Sequence, residues 1–261
     1  MIRKMHTNKI YLKSILCAIF VILFSLTVYA KAKPVHSKVK SARSIMKQVF
    51  SKPKMIKLKN GARAQVYLPT KFNRKKRYPL LIIMNSKEKS LLASNKTWIP
   101  IANNLKMILL CPIGSKKKHY SRKPIDDRKR LVQFLNLLDK KYNIDLSNSV
   151  LAGFSKGGTF ALEAGLIYPH KFKNVLCIFG YLNKSMWPII KSNLKTRSYR
   201  LSSFYFITNK GSASYKSLRP LHKSFKAKKV KNRFKSFPEL TTDSQPALIS
   251  EIKKIITWLQ K

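Results

Sequence analysis

The stretch Val150-Leu151-Ala152-Gly153-Phe154-Ser155-Lys156-Gly157-Gly158 decides how this chain is read. Three apolar residues suited to a buried strand run into Gly-x-Ser-x-Gly. An apolar segment with helical spacing follows at Phe160, Ala161, Ala164, Leu166 and Ile167. A sharp strand-to-helix turn of this kind holds the serine in a strained, exposed position above a parallel sheet. The flanking glycines are needed because strand and helix backbones pass so close there. Small residues around a serine are common in loops, so the pattern alone is weak. Its place between strand and helix makes it informative.

Working outward, the rest of the chain alternates short apolar runs with amphipathic ones. Met55–Lys59 and Ala62–Leu68 flank Asn60-Gly61 and predict a β-hairpin, the Asn-Gly pair favouring a turn with positive φ. Strands are predicted at Leu80–Met84, Met107–Cys111, Asn174–Phe179, Ser203–Thr208 and Lys231–Phe237. Helices are predicted at Trp98–Leu105, Ile125–Tyr142, around Ser185–Leu194, around Tyr215–Lys226 and at the C-terminus through Leu248, Ile252, Ile255, Ile256 and Leu259. Asp126 and Asp127 open the second of these helices, where carboxylates complement a helix N-terminus. A hairpin followed by alternating β and α elements implies an α/β protein: one mostly parallel sheet with helices on both faces.

The N-terminus reads as a targeting segment. Arg3, Lys4, Lys9 and Lys13 precede an apolar run from Ile15 to Tyr29, and Val28-Tyr29-Ala30 offers a cleavage site before Lys31. The competing reading is an uncleaved anchor, although about 15 apolar residues fall short of the ~20 a spanning helix needs. The organisation is therefore a signal peptide or N-terminal anchor over 1–30, a basic tether over 31–54 and one folded domain over 55–261, exported to the periplasm or beyond.

Cys111 and Cys177 lie in apolar runs and read as buried free thiols. No cysteine, histidine and carboxylate cluster has metal-ligand spacing, and no cofactor is implied. With 55 basic and 9 acidic residues the formal net charge is +46. Such a field attracts polyanions such as nucleic acid or acidic polysaccharide, as well as anionic membrane surfaces, and repels cationic substrates. A dedicated site would gather charge on one face, for instance Lys116–Lys118 with Arg122 and Lys123. The competing reading is a diffuse basic bias with no partner, and oligomeric state is not legible.

From about Val66 onward the order of elements resembles the α/β-hydrolase fold, in particular the secreted branch that holds feruloyl and acetylxylan esterases and polyhydroxybutyrate depolymerases. The residues that carry the likeness are Pro79–Met84, Ile108–Pro112, Tyr142-Asn143-Ile144-Asp145, the Gly153–Gly158 turn, and Tyr168-Pro169 with Phe172. The resemblance implies a serine carboxylic-ester hydrolase with Ser155 as nucleophile. It also implies an oxyanion hole from the N–H of Lys156 and a second N–H in the loop at Ser86. Three departures stand beside it. Asn85-Ser86 replaces the usual His-Gly, Gly211-Ser212-Ala213-Ser214 puts Ser214 where the triad acid belongs, and no histidine follows His222.

A serine hydroxyl needs a partner that removes its proton. His6 and His36 lie in the leader and tether. His170 ends the turn's helix, roughly 20 Å from Ser155 at ~1.5 Å per residue, and His222 reads as solvated on a surface helix. His119, in a loop at the carboxyl edge of the sheet, is the candidate base. A Ser–Lys arrangement with Lys156 is disfavoured because a neighbour on so tight a turn points away. Asp243 falls in the loop that normally carries the catalytic histidine and could orient Ser155. Two readings of function follow: an esterase with a non-standard base, or a hydrolase-like scaffold without turnover that binds an anionic partner.

Overall fold

The computed structural model describes residues 53–84, 95–114, 120, 126–238 and 245–261, all within the compact unit that spans Phe50–Lys261. The strands are β1 (Lys54–Lys57), β2 (Arg63–Tyr67), β3 (Tyr78–Met84), β4 (Ile108–Pro112), β5 (Ile144–Phe154), β6 (Asn174–Ile178), β7 (Ser203–Asn209) and β8 (Lys231–Phe237). The helices are α1 (Asn95–Asn104), α2 (Asp127–Tyr142), α3 (Lys156–Ile167), α4 (Trp187–Lys195), α5 (Ala213–Ala227) and α6 (Gln245–Gln260). The strands form one sheet in the order β1-β2-β4-β3-β5-β6-β7-β8. The β1–β2 and β2–β4 pairs are antiparallel, and every other pair is parallel.

Alternation along each strand sorts the core into two faces. Leu80, Ile82 and Met84 pack with Leu110 and Leu151 against Leu131, Phe134 and Leu138 of α2 and Phe160 and Ala164 of α3. Val175, Cys177, Phe204 and Phe206 pack against Leu166 of α3, Ile190 of α4 and Leu218 and Phe225 of α5. On the other face Leu81, Ile83, Leu109, Val150 and Ala152 meet Trp98 of α1 and Leu248, Ile252 and Leu259 of α6. The buried central strands explain the near-continuous apolar runs seen in the sequence.

Two local features differ from expectation. In the hairpin only Gly61 has positive φ (81°), and Asn60 contributes through its side chain, which accepts from Ala62 N–H at 3.2 Å. Gly61 N–H donates to Leu58 C=O, so the loop is a turn closed by a left-handed glycine rather than a two-residue Asn-Gly turn. The strand that feeds Ser155 begins at Ile144, six residues before the apolar run suggests. Its pairing with β3 slips between Pro79 and Leu81, because the Asp145 carboxylate gathers Ser147 N–H, Asn148 N–H and Asn148 Nδ2. Ser149 Oγ then accepts from Leu80 N–H at 2.8 Å and restores the ladder.

Three of the helix ends that feed the parallel strands are capped alike. After α1, α4 and α5 the chain turns through a left-handed residue: Lys106 (φ 53°), Arg197 (φ 55°) and Lys229 (φ 56°). In each, the next N–H reaches back into the last turn: Met107 to Ala102, Ser198 to Asn193, and Val230 to Phe225. This is the cap that glycine normally supplies. In a chain with eight glycines, cations occupy it.

Candidate active site

Ser155 stands between β5 and α3 with φ 54° and ψ −121°, backbone angles that L-residues avoid. Its backbone is held from both sides. The N–H donates to Ile178 C=O of β6 at 2.8 Å, and the carbonyl accepts from Thr159 N–H at 3.0 Å. The glycines around it have no room for a methyl group. One at Gly153 would lie 2.3 Å from the Gly157 oxygen, and one at Gly158 would lie 2.8 Å from the carbonyl oxygens of both Gly153 and Ile178. The sharp turn predicted from the sequence is therefore present, with the serine at its tip.

Lys156 is the first residue of α3, so its backbone N–H has no acceptor within the helix and sits at the positive end of the helix dipole. An oxyanion formed beside Ser155 would be met by that N–H. The Lys156 side chain is exposed.

Three further residues shape the turn and were not legible as such. A methyl at Gly180, just past β6, would lie 2.5 Å from Thr159 N and 2.6 Å from Cys177 Sγ, so α3 can start here only if this position is glycine. Phe179 also has positive φ (51°) and meets Phe154 edge-on at 5.7 Å. Thr159 Oγ1 accepts from Tyr181 N–H at 3.0 Å, tying the loop after β6 to the first turn of α3. An aromatic-glycine pair at a strand end was the available signal.

Ser214, at the position that resemblance gives to the triad acid, lies buried in the first turn of α5, and its hydroxyl donates to Gly180 C=O. It supports the backbone behind the turn rather than contributing charge. His170 is exposed beyond the far end of α3. His222 differs from the expected solvated residue: it is half-buried, with Nδ1 against Asn232 Oδ1 and its ring on Phe234 at 5.4 Å. His119, Asp243 and Ser86, as well as Lys116–Lys118, Arg122 and Lys123, lie outside the described residues. The residue after His119 is described. Tyr120 stacks on Phe160 of α3 at 5.0 Å, and its hydroxyl donates to Pro112 C=O at the end of β4.

Asp126 caps α2 as expected, accepting from Arg128 N–H at 3.0 Å. Burial acts against its charge, but the bonds from Arg128 prevail and hold its carboxyl below the usual carboxylate range. Arg128 also reaches Glu163, 1% exposed on α3, at 3.4 Å and so joins the two helices behind the turn. Cys111 and Cys177 are free and buried. Burial pushes both thiols up, Cys177 to about 12, so neither is a thiolate nucleophile at neutral pH. Among the described residues no three histidines, cysteines or carboxylates gather as a metal site.

A mostly parallel sheet with helices on both faces, and a serine strained between the central strand and the next helix, defines the α/β-hydrolase class. Residues 57–233 match the Esterase family, described as "Putative esterase", and the chain belongs to that family. Solved structures agree at the level of fold. The fluorophosphonate-binding serine hydrolase F of Staphylococcus aureus superposes with a TM-score of 0.64 at 12% identity, over 82% of this chain and 99% of that one. A ferulic acid esterase gives 0.61 at 16% identity, over 79% and 97%. An S-formylglutathione hydrolase of Staphylococcus aureus gives 0.61 at 12%, over 81% and 96%. No curated protein matches the chain in sequence.

Proposed function

We propose that this chain is an exported serine hydrolase of carboxylic esters in which Ser155 is the nucleophile and the base is drawn from a non-standard position. The observation that carries this reading is the retained strain at Ser155. A serine at φ 54° and ψ −121° costs roughly 1–3 kcal/mol and persists only where surrounding contacts enforce it, a pattern typical of reactive groups. Ser155 Oγ would attack the ester carbonyl carbon as the base takes its proton. That proton would pass to the departing alcohol, and water would release the acyl group by the reverse sequence. The Lys156 N–H, with a second N–H in the loop at Ser86, would hold the oxyanion. His119 is the candidate base because its loop follows the strand ending at Cys111, at the carboxyl edge of the sheet. Asp243 would orient rather than activate, because an ionised carboxylate is a weak base for a hydroxyl.

A fluorophosphonate probe tests this on the purified domain. The wild type should label and cleave short p-nitrophenyl esters, and Ser155→Ala should lose both, with turnover down about 10³-fold or more. Labelling that survives His119→Ala would remove His119 as the base.

Two observations favour a second reading, a non-catalytic scaffold that binds an anionic partner. Ser214, where an acid belongs, gives its hydroxyl to a backbone carbonyl, and His222 is taken up by Asn232. Absence of any wild-type labelling would overturn the first reading. Export rests on the charged and apolar leader. Chain recovered from a periplasmic or culture fraction should begin near Lys31, whereas intact Met1 in the membrane would mean an anchor.

A further inference from the structure

The αβ connections bring cations together on the amino edge of the sheet, the edge opposite Ser155 and roughly 20 Å away along a seven-residue strand. There the ends of α4 and α5 enclose a cavity of about 670 Å³ lined by Lys195, Arg197, Tyr199, Arg200, Lys228 and Lys229, among others. The five cations are exposed, Tyr199 is buried, and no carboxylate lines the space. The six described carboxylates are engaged elsewhere. Asp126 and Asp127 pair with Arg128 and Arg130 at the start of α2, Glu163 with Arg128, and Glu251 with Lys235. Asp139 and Asp145 are bound within the α2–β5 connection.

Two helix C-termini face this cavity, and cations belong at such ends. Each end carries only about −0.5 of a charge, so five cations leave roughly +4 uncompensated. Two of them, Arg197 and Lys229, stand at left-handed cap positions where glycine would be less strained.

One observation selects a membrane over a soluble polyanion. Leu201, next to Arg200, is 65% exposed, an apolar side chain projecting from the rim of the basic patch. The chain also enters the sheet on this same edge. Lys54 begins β1 opposite Val66, and Tyr67 pairs with Leu109 near the start of β4. The described chain therefore begins on the amino edge at β1, at the other end of the strand order from β7 and β8.

We infer that the amino edge around this cavity docks on an anionic phospholipid surface, with headgroup phosphates drawn to the cations and Leu201 dipping into the interface. Ser155 then faces away from the bilayer. The inference is independent of whether Ser155 turns over substrate, and its readout is binding alone.

Co-sedimentation of the purified domain tests it, using vesicles of phosphatidylglycerol with phosphatidylcholine against phosphatidylcholine alone, in about 0.1 M salt. The double variant Arg197→Gly with Lys229→Gly removes two cations at positions that glycine fits better, so folding is preserved. It should weaken partition onto the anionic vesicles by about 30-fold, at the usual strength of one basic residue near an anionic leaflet. Lys210→Gln with Lys216→Gln, two cations at the opposite edge, should change it less than about 3-fold. Leu201→Asn should weaken vesicle binding but leave heparin binding unchanged, as only a bilayer rewards an apolar side chain. Equal losses in the two double variants would overturn the proposal by making the attraction diffuse. A Leu201→Asn variant that binds vesicles as well as wild type would overturn it in favour of a soluble polyanion.

Discussion

Ser155 combines two properties that pull against each other: a side chain placed for reaction and a backbone that disfavours any residue with a Cβ. The strain is held by Ile178 C=O on one side and Thr159 N–H on the other. Relieving it should therefore be visible as stability. Ser155→Gly should raise unfolding free energy by about 1 kcal/mol, strain relief of roughly 2 kcal/mol being offset by the greater freedom of glycine in the unfolded chain. Urea denaturation reads this directly, and a Ser155→Gly variant less stable than wild type would show that the turn is not strained. At Gly158 the effect is opposite. A methyl there meets two carbonyl oxygens at 2.8 Å, so Gly158→Ala should lose about 3 kcal/mol and, with it, any labelling of Ser155.

At the scale of elements, the helix caps show how a glycine-poor, lysine-rich sequence closes an α/β fold. Lys106, Arg197 and Lys229 take the left-handed position at a cost of about 1 kcal/mol each relative to glycine. Lys229→Gly and Arg197→Gly should each raise the urea midpoint by the equivalent of that amount. No gain at either site would mean that the cation's attraction to the helix carbonyls already offsets the strain. The N-terminus of α2 gives a pH prediction. Asp126 has a carboxyl lowered in the folded state, so the stability it contributes is present above the ordinary carboxylate range. That stability is lost as pH falls through the lowered native value, below about 4. Asp126→Asn keeps a capping side chain but removes the charge. Its deficit against wild type should be full at pH 6 and shrink as pH falls below about 4, as followed by urea titration across that range.

For the whole molecule, the dominant force beyond the core is self-repulsion. A net charge of +46 spread over one chain destabilises the compact state, and the described carboxylates are too few to screen it. Added salt should stabilise the fold. Between about 10 mM and 300 mM NaCl, where the Debye length falls from ~30 Å to below 10 Å, the melting temperature should rise by about 5 °C. A flat response would mean that the cations are already neutralised by bound anions, which calorimetry with a phosphate-free, chloride-only buffer would reveal.

What the sequence determined by itself was local. The element order, the glycine-flanked turn at Ser155, the hairpin at Asn60-Gly61, the buried thiols and the cap at Asp126 all follow from residues within a few positions of one another. The period of apolar residues and the room a Cβ needs act at that range. The remaining features depend on residues far apart in the chain. Gly180 is required because Thr159 passes 2.5 Å from its would-be methyl, and Ser214 is structural because Gly180 C=O stands in front of it. His222 is held because Asn232 and Phe234 of β8 lie beneath it. The cations gather on one edge because every helix of a parallel sheet returns its chain there, a fact of topology that no stretch of sequence contains.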